Sequence, residues 1–157
     1  PFSVASDEAI ERGEVLLTQF DRVIWLLGDE STADVTFSPD ARTAITAYLG
    51  SGGALIVSGA EVGYATDTAW FSSTLHTTYV SDDANTNTAN GFSFGVAYPE
   101  DYPDVLSSQT TLWTYATGGG AAVGWNNQVI VIGFGLETMA QAVLAQSLPS
   151  LTAYLTP

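Results

Sequence analysis

The chain has 157 residues, of which 46% are hydrophobic and 13% charged, enough apolar material for one packed domain and too much for a disordered chain. Its formal net charge is −14, with three arginines and no lysine, which excludes the basic surfaces that bind nucleic acid or anionic membranes. Cysteine is absent, which excludes disulfides, thiolate metal sites and cysteine nucleophiles.

The first half of the chain predicts helices that alternate with buried strands. Residues 6–13 predict a short helix, and the continuous apolar run at 21–28 is typical of a strand buried on both faces. The serine–proline pair at 38–39 marks the N-cap and first residue of a second helix. Another buried strand is predicted at 54–58, followed by a helix at 68–75.

The second half predicts shorter strands around a polar middle. Residues 82–91 form a polar loop, residues 92–108 contain two prolines and are predicted to be irregular, and residues 138–146 predict a helix. The predicted strands are 77–80, 112–116, 121–125 and 129–132, the last two as an antiparallel hairpin. Strands alternating with helices predict one α/β domain over residues 1–157, with a mostly parallel sheet.

Acidic residues follow three of the predicted strands within a short glycine-containing pattern. In a parallel sheet these carboxyl ends share one edge, where open α/β sheets bind ligands. We therefore predict Asp29, Glu30, Glu61 and Glu137 as ligand-binding residues, with Glu30, Glu61 and Glu137 as candidates for catalysis. The alternative is structural, because an acid at a helix N-terminus is stabilised by about 0.3–1 kcal/mol without any site.

The polar loop offers oxygen ligands of the kind that bind Ca²⁺ or Mg²⁺. Thr88 stands where a calcium loop has glycine and Phe94 where it has glutamate, so the segment is not an EF-hand. An ordinary polar turn is the alternative. The candidate metal ligands are Asp82, Asp83, Asn85 and Asn87.

A serine–histidine–acid triad would have to use His76, the one histidine, with Ser58 as nucleophile. The residues around Ser58 lack the G-x-S-x-G pattern that exposes such a serine on a strained turn. A histidine at a helix end or at the surface is the alternative reading of His76. We expect no such triad.

Four segments carry a resemblance to a known family: VIWLLGDESTADVTFS, AYLGSGGALIVSGAEVGY, LHTTYVSDDA and IGFGLET. Over about residues 2–144 the chain resembles the class I glutamine amidotransferase-like domains of secreted bacterial proteins, of the kind associated with xanthan lyases and N-acetylmuramoyl-L-alanine amidases. The resemblance implies a three-layer, flavodoxin-like open sheet. It also implies that a first strand and helix precede Phe2.

The same resemblance implies a catalytic cysteine near Gly59 or Ala60 and a histidine–glutamate pair in the segment Phe-Gly-Leu-Glu that ends at Glu137. Neither of the first two positions carries a nucleophile, and Gly135 stands at the histidine position. The acid of a triad acts by orienting a histidine, so Glu137 has no such role. Glutaminase activity is therefore not expected.

Three functions follow as expectations. The leading one is a non-catalytic extracellular module for binding, assembly or spacing in a secreted protein, with other domains, a self-partner at the sheet edge or a polysaccharide as partner. The second is a glycan-directed hydrolase or lyase that uses the strand-end carboxylates, with or without a metal ion. The third is a self-assembling structural protein whose open sheet edge a second copy completes.

Overall fold

The computed structural model describes residues 2–28, 33, 35–64 and 66–155. The helices are α1 (Asp7–Glu11), α2 (Pro39–Gly50), α3 (Thr68–Thr74) and α4 (Gln141–Tyr154). The strands are β1 (Arg22–Leu26), β2 (Ala54–Ser58), β3 (Thr78–Ser81), β4 (Thr88–Ala89), β5 (Phe92–Ser93), β6 (Val105–Ser107), β7 (Thr110–Thr114), β8 (Gly120–Trp125) and β9 (Val129–Ile132). Short 3-10 turns lie at Leu17–Gln19 and Leu136–Thr138.

Seven of these strands form one mixed sheet. Its order is β1-β2-β9-β8-β6-β3, and β7 also pairs with β8. β1, β2 and β9 run parallel, whereas the pairs β8–β9, β6–β8, β3–β6 and β7–β8 are antiparallel. The α/β class predicted from the sequence is confirmed, and the antiparallel part of the sheet is larger than one hairpin.

Helix α2 begins where the sequence predicts, and its last turn is hydrogen-bonded to the start of β2. Ser38 has an extended backbone, and its hydroxyl accepts a hydrogen bond of 3.1 Å from the amide of Ala41. Pro39 supplies the fixed φ of the first helical residue. Near the other end, the buried Tyr48 hydroxyl bonds to both the carbonyl and the amide of Ala54. The first turn and the last turn of α2 are therefore both fixed by side-chain hydrogen bonds.

Two hydrophobic clusters lie on opposite faces of the sheet, because successive residues of a strand point in opposite directions. Along β2, Leu55 and Val57 belong to the cluster that includes α2 and α3 residues, whereas Ile56 belongs to the cluster that includes α4. β2 and β9 are buried throughout. Their continuous apolar sequences therefore match their place in the middle of the sheet.

Several elements differ from the sequence-based expectation, among them the short strands β4 and β5, which lie in the predicted loop and in the stretch predicted to be irregular. Strand β6 lies in the stretch predicted to be irregular, where it pairs with both β3 and β8. Helix α4 runs through Pro149, beyond the predicted end, and Leu151 past the proline is buried in the core. Burial of the last turn outweighs the local preference of proline to end a helix.

None of the described helices is long and apolar enough to cross a bilayer.

Candidate functional site

The candidate site lies at the carboxyl ends of β2 and β9, one edge of the parallel part of the sheet. Glu61 follows β2 and Glu137 follows β9, so the fold places both acids at this edge. Asp29 and Glu30, which the sequence assigns to the same edge, lie outside the described residues. The segment 101–104, called here the crossing segment, bonds to residues at the ends of both strands.

Glu61 turns inward and is almost fully buried, with 1% of its surface exposed. Its backbone is left-handed, with a φ of 57°, a conformation that few residues other than glycine adopt. One carboxyl oxygen, Oε1, accepts a hydrogen bond of 3.2 Å from the amide of Tyr102. The other, Oε2, is buried and has no hydrogen-bond partner. The crossing segment therefore donates a hydrogen bond to only one of the two carboxylate oxygens of Glu61.

Asp104 is the most completely enclosed acid of the site, with 0% of its surface exposed. Its amide donates to the carbonyl of Gly133 at 2.8 Å, and its carbonyl accepts from the Tyr115 hydroxyl at 3.0 Å. Its Oδ2 accepts a hydrogen bond of 2.6 Å from the amide of Gly63, while Oδ1 is buried without a partner. The backbone around Asp104 thus fixes where its carboxylate stands.

Asp82 completes a group of three carboxylates. It directly follows β3, and Asp104 directly precedes β6. These two strands are antiparallel, with Ser81 opposite Val105, so the two acids meet at the same end of the pair. One oxygen from each of Glu61, Asp82 and Asp104 lies within 4.8 Å of the others. Asp82 is exposed, so the group opens to solvent on its side.

Burial and mutual repulsion favour protonation of the two inner acids. Burial, followed by the negative charges of Glu61 and Asp82, raises the pKa of Asp104 to about 7, although the backbone amides of Gly63 and Tyr64 oppose the shift. Burial also raises the pKa of Glu61, and the charges of nearby aspartates add to it. Tyr79 packs beside Gly63, and burial together with these charges raises its pKa to about 12. A cation or a shared proton would relieve this repulsion.

Glu137 lies at the surface, outside the three converging acids. It borders a cavity of about 10 Å³, whose described lining also includes Ala60, Asp101 and Gly135. That volume holds about one water molecule. Partial burial and the charge of Asp101 raise the pKa of Glu137. The two strand-end glutamates therefore face different surroundings, although they share one edge of the sheet.

The other predicted metal ligands form an internally bonded turn. The Asp83 carboxylate accepts from the amide of Asn85 at 2.7 Å, and the Asn85 side chain donates to the Asp83 carbonyl at 2.9 Å. Asn87 accepts from the amide of Phe94 through its backbone carbonyl. Of the two candidate aspartates in the loop, the fold brings Asp82, and not Asp83, into the group of carboxylates.

Ser58 and His76 do not meet. The Ser58 hydroxyl is buried, donates to the carbonyl of Phe134 and accepts from the amide of Leu136. His76 stacks on Trp125 with ring centroids 3.6 Å apart. Trp125 pairs with Val129 at the start of β9, whereas Ser58 pairs with Ile132 at the end of β9. Trp125 and Ser58 therefore lie at opposite ends of the sheet. Through its two hydrogen bonds, Ser58 instead links the end of β2 to the residues that follow β9.

Asp104 is the member of this group that sequence reasoning missed. It lies between Pro103 and a three-residue strand, in a stretch whose two prolines predict irregular structure. A correct prediction of the strand pairing would have found it. Because β3 and β6 are antiparallel, the acids at residues 82 and 104 lie opposite each other.

Comparison of the chain with models of known protein families, with curated proteins and with solved structures finds no match.

Proposed function

We propose that this chain is a non-catalytic extracellular α/β module that binds a partner polypeptide along the free edge of β1. The observation that carries the proposal is an apolar strip on this edge strand. Ile24 and Leu26 are 44% and 52% exposed, although they stand beside the fully buried β2. Among the described strands, β1 pairs only with β2, so its other edge offers backbone donors and acceptors to a further strand.

The two faces of β1 are covered unequally. Val23 and Trp25 pack against the cluster beneath α2 and α3. On the opposite face α4 covers β2 and β9 and ends near β1, where the carbonyl of Leu155 accepts from Arg22. Ile24 and Leu26 point to this second face, beyond the cover of α4. A partner that adds a strand and a helix would cover the strip and extend the sheet.

The described residues also favour a role without catalysis. Ser58 is buried and uses its hydroxyl in two backbone hydrogen bonds, and His76 is stacked against an indole ring. Glu61, the residue with left-handed backbone after β2, presents no reactive group to solvent. Helices on both faces of the sheet, with the β8–β9 pair near the C-terminus, support a three-layer, flavodoxin-like arrangement as part of this proposal.

Charge argues for a partner of different sequence, rather than a second copy of this chain. Two copies would each bring a net charge of −14, and the repulsion opposes close association at low salt. Another domain of a larger secreted protein is the partner we propose.

The test is photo-crosslinking from position 24 in the protein as its own cells secrete it. A photoreactive residue in place of Ile24 should crosslink to another domain or to a distinct partner, identified by mass spectrometry. The same residue in place of Val80, which is exposed on β3 at the far edge, is the matched control and should not give that product. Products between identical copies would favour self-assembly, and the absence of any product specific to position 24 would contradict the proposal.

Catalysis is tested separately with the purified chain. We expect no turnover of glutamine, and measured turnover would contradict a non-catalytic role. A second candidate, glycan hydrolysis, is favoured by the raised pKa of Glu137 beside Asp101, a pattern typical of general acids. It predicts release of reducing ends from xanthan or peptidoglycan by the wild type, lost in Glu137→Gln while the fold is retained.

A further inference from the structure

We propose that Glu61, Asp82 and Asp104 together bind one Ca²⁺ ion, which joins the turn after β2 to the β3–β6 pair. The three carboxylates come from parts of the chain far apart in sequence, and one oxygen of each lies within 4.8 Å of the others. Oxygens that share a Ca²⁺ ion at about 2.3–2.6 Å lie up to about 5 Å apart. This binding goes beyond the partner surface on β1 and does not depend on it.

Independent support comes from the buried oxygens that lack partners. Oε2 of Glu61 and Oδ1 of Asp104 make no hydrogen bond, although their residues are 1% and 0% exposed. Buried polar atoms in native proteins are nearly always bonded, and a buried carboxylate without a partner is especially costly. Both unpartnered oxygens belong to the converging acids, so each inner carboxylate keeps lone pairs with which it can coordinate a cation.

No side-chain cation of the chain fills this place. The chain has three arginines and no lysine. Arg12 and Arg42 form ion pairs with acids elsewhere, and Arg22 donates to the carbonyl of Leu155. His76 is stacked on Trp125. The charge that balances the three carboxylates therefore has to come from solution.

The arrangement suits Ca²⁺ better than Mg²⁺. Mg²⁺ requires nearly ideal octahedral geometry at about 2.0–2.1 Å and keeps several of its waters, whereas Ca²⁺ accepts irregular sets of six to eight oxygens. Here the inner oxygens are fixed by the backbone of Gly63 and Tyr102, so they cannot close far around a small ion. The exposed side of Asp82 leaves room for water to complete the coordination.

The competing occupant is a proton shared between Glu61 and Asp104. A shared proton would supply one hydrogen bond between the two buried carboxyl groups. It would leave Asp82 without a role in the site, whereas Ca²⁺ uses all three acids. The two explanations therefore make opposite predictions for a variant of Asp82.

Calorimetry of the chelator-treated chain with CaCl₂ at about pH 8 tests the proposal, since metal ligands must be deprotonated. The wild type should bind one Ca²⁺, with a dissociation constant of about 0.1–1 mM, the range of extracellular modules. Asp82→Asn should weaken binding at least about tenfold, because it removes one of three charged ligands. Asp82 is exposed, so this variant keeps the fold. Asp40→Asn, an equal change of charge at an exposed position of α2, should bind as the wild type does.

Tb³⁺ luminescence gives a second readout in the same chain. Tyr79 lies beside Gly63 at the site, so excitation of tyrosine should produce terbium emission that Ca²⁺ displaces and Mg²⁺ does not. The emission should be lost in Glu61→Gln. Equal Ca²⁺ affinity of Asp82→Asn and the wild type would overturn the proposal, as would the absence of saturable binding at about 10 mM Ca²⁺. Tighter binding of Mg²⁺ would overturn the choice of calcium.

Discussion

The turns after β2 and β9 share the sequence pattern glycine–apolar–glutamate, and both bury the apolar residue, but only the first also buries its glutamate. In the first turn Glu61 has left-handed backbone and points inward, where the crossing segment holds one of its oxygens. In the second turn Leu136 takes the buried position and Glu137 stays at the surface in a 3-10 turn. The same three-residue pattern therefore leads to a buried acid in one turn and a surface acid in the other.

The difference comes from what faces each turn. Opposite the first turn, the amide of Tyr102 donates to the buried carboxylate of Glu61, while the amide of Gly63, within the turn, donates to Asp104. Opposite the second, the Ser58 hydroxyl accepts from the amide of Leu136 and holds the turn so that its leucine faces the core. A Gly-x-Glu pattern after a strand thus marks an edge of the sheet, and the neighbouring segments decide whether the glutamate is buried.

The largest expected effect on the free energy of unfolding is at Gly133, which we compare with Gly135 two residues later. A Cβ at Gly133 would overlap the backbone carbonyl of Asp104, which cannot move without breaking the crossing segment. We expect Gly133→Ala to lower the free energy of unfolding by about 3 kcal/mol or more.

Gly135→Ala is the matched control in the same turn. The three atoms nearest to its Cβ belong to the end of the Glu137 side chain, which can rotate away, so the expected loss is below about 1 kcal/mol. Urea unfolding followed by circular dichroism measures both variants. Similar losses would mean that the carbonyl of Asp104 is not held rigidly against Gly133.

The pH dependence of stability reports the buried acids. Asp104 has a folded-state pKa of about 7 against an ordinary value of 3.8, so the folded chain binds its proton more tightly than the unfolded chain does. Its contribution is fully present below the unfolded pKa and is lost as the pH rises through about 7. In chelator, the free energy of unfolding of the wild type should therefore fall between pH values of about 4 and about 8.

Asp104→Asn keeps an acceptor for the Gly63 amide and removes the charge. At about pH 8 it should be more stable than the wild type by on the order of 1–3 kcal/mol in chelator, and its pH slope should be smaller. Calcium should stabilise the wild type and leave the variant unchanged, because mass action stabilises only a state that binds the ion. If the free energy of unfolding of Asp104→Asn depended on pH as steeply as that of the wild type, the titrating group would be a residue other than Asp104.

Ser58→Ala tests what holds the second turn. The Ser58 hydroxyl bonds to one carbonyl and one amide, both buried, so its removal leaves two backbone groups without partners. We expect a loss of about 2 kcal/mol. Ser150→Ala, at an exposed position of α4, removes a hydroxyl that bonds within its own helix and should change stability by less than about 0.5 kcal/mol. Equal effects would show that Ser58 is not a structural link.

The smallest expected effects compare the two glutamates directly. Glu61→Gln should stabilise the chelator-treated chain by about 1 kcal/mol at alkaline pH, because it removes one buried charge and keeps the bond from the Tyr102 amide. Glu137→Gln at the surface should stay within about 0.5 kcal/mol of the wild type. Unfolding curves of both variants at one pH decide the comparison. A larger effect at Glu137 would reverse the assignment of buried and surface acid.

Local patterns predicted the elements that depend on local chemistry. The Ser38–Pro39 pair fixed the start of α2, and the apolar run at 54–58 matched the bounds of β2. The oxygen-rich loop also makes Asp82 a candidate ligand of a hard cation, and this stays a prediction. These predictions need only the residues within a few positions of one another.

The rest depended on contacts that no local pattern contains. The inward direction of Glu61 follows from a left-handed backbone and from the amide of Tyr102, which lies 41 residues away. The burial of Asp104 depends on its contact with Gly133. Sequence reasoning therefore identified the edge of the sheet and placed Asp82 with its loop neighbours, whereas the fold places it beside Glu61 and Asp104.

The crossing segment also has a consequence for the order of folding. Its bonds to Glu61 and to Gly63 each span 41 residues, and its bond to Gly133 requires β9 to be in place. Contacts of this sequence separation carry a large loop-closure cost until the sheet itself has formed. The acids of the candidate site are therefore brought together at the end of folding, and cation binding at that stage would slow unfolding more than it speeds folding.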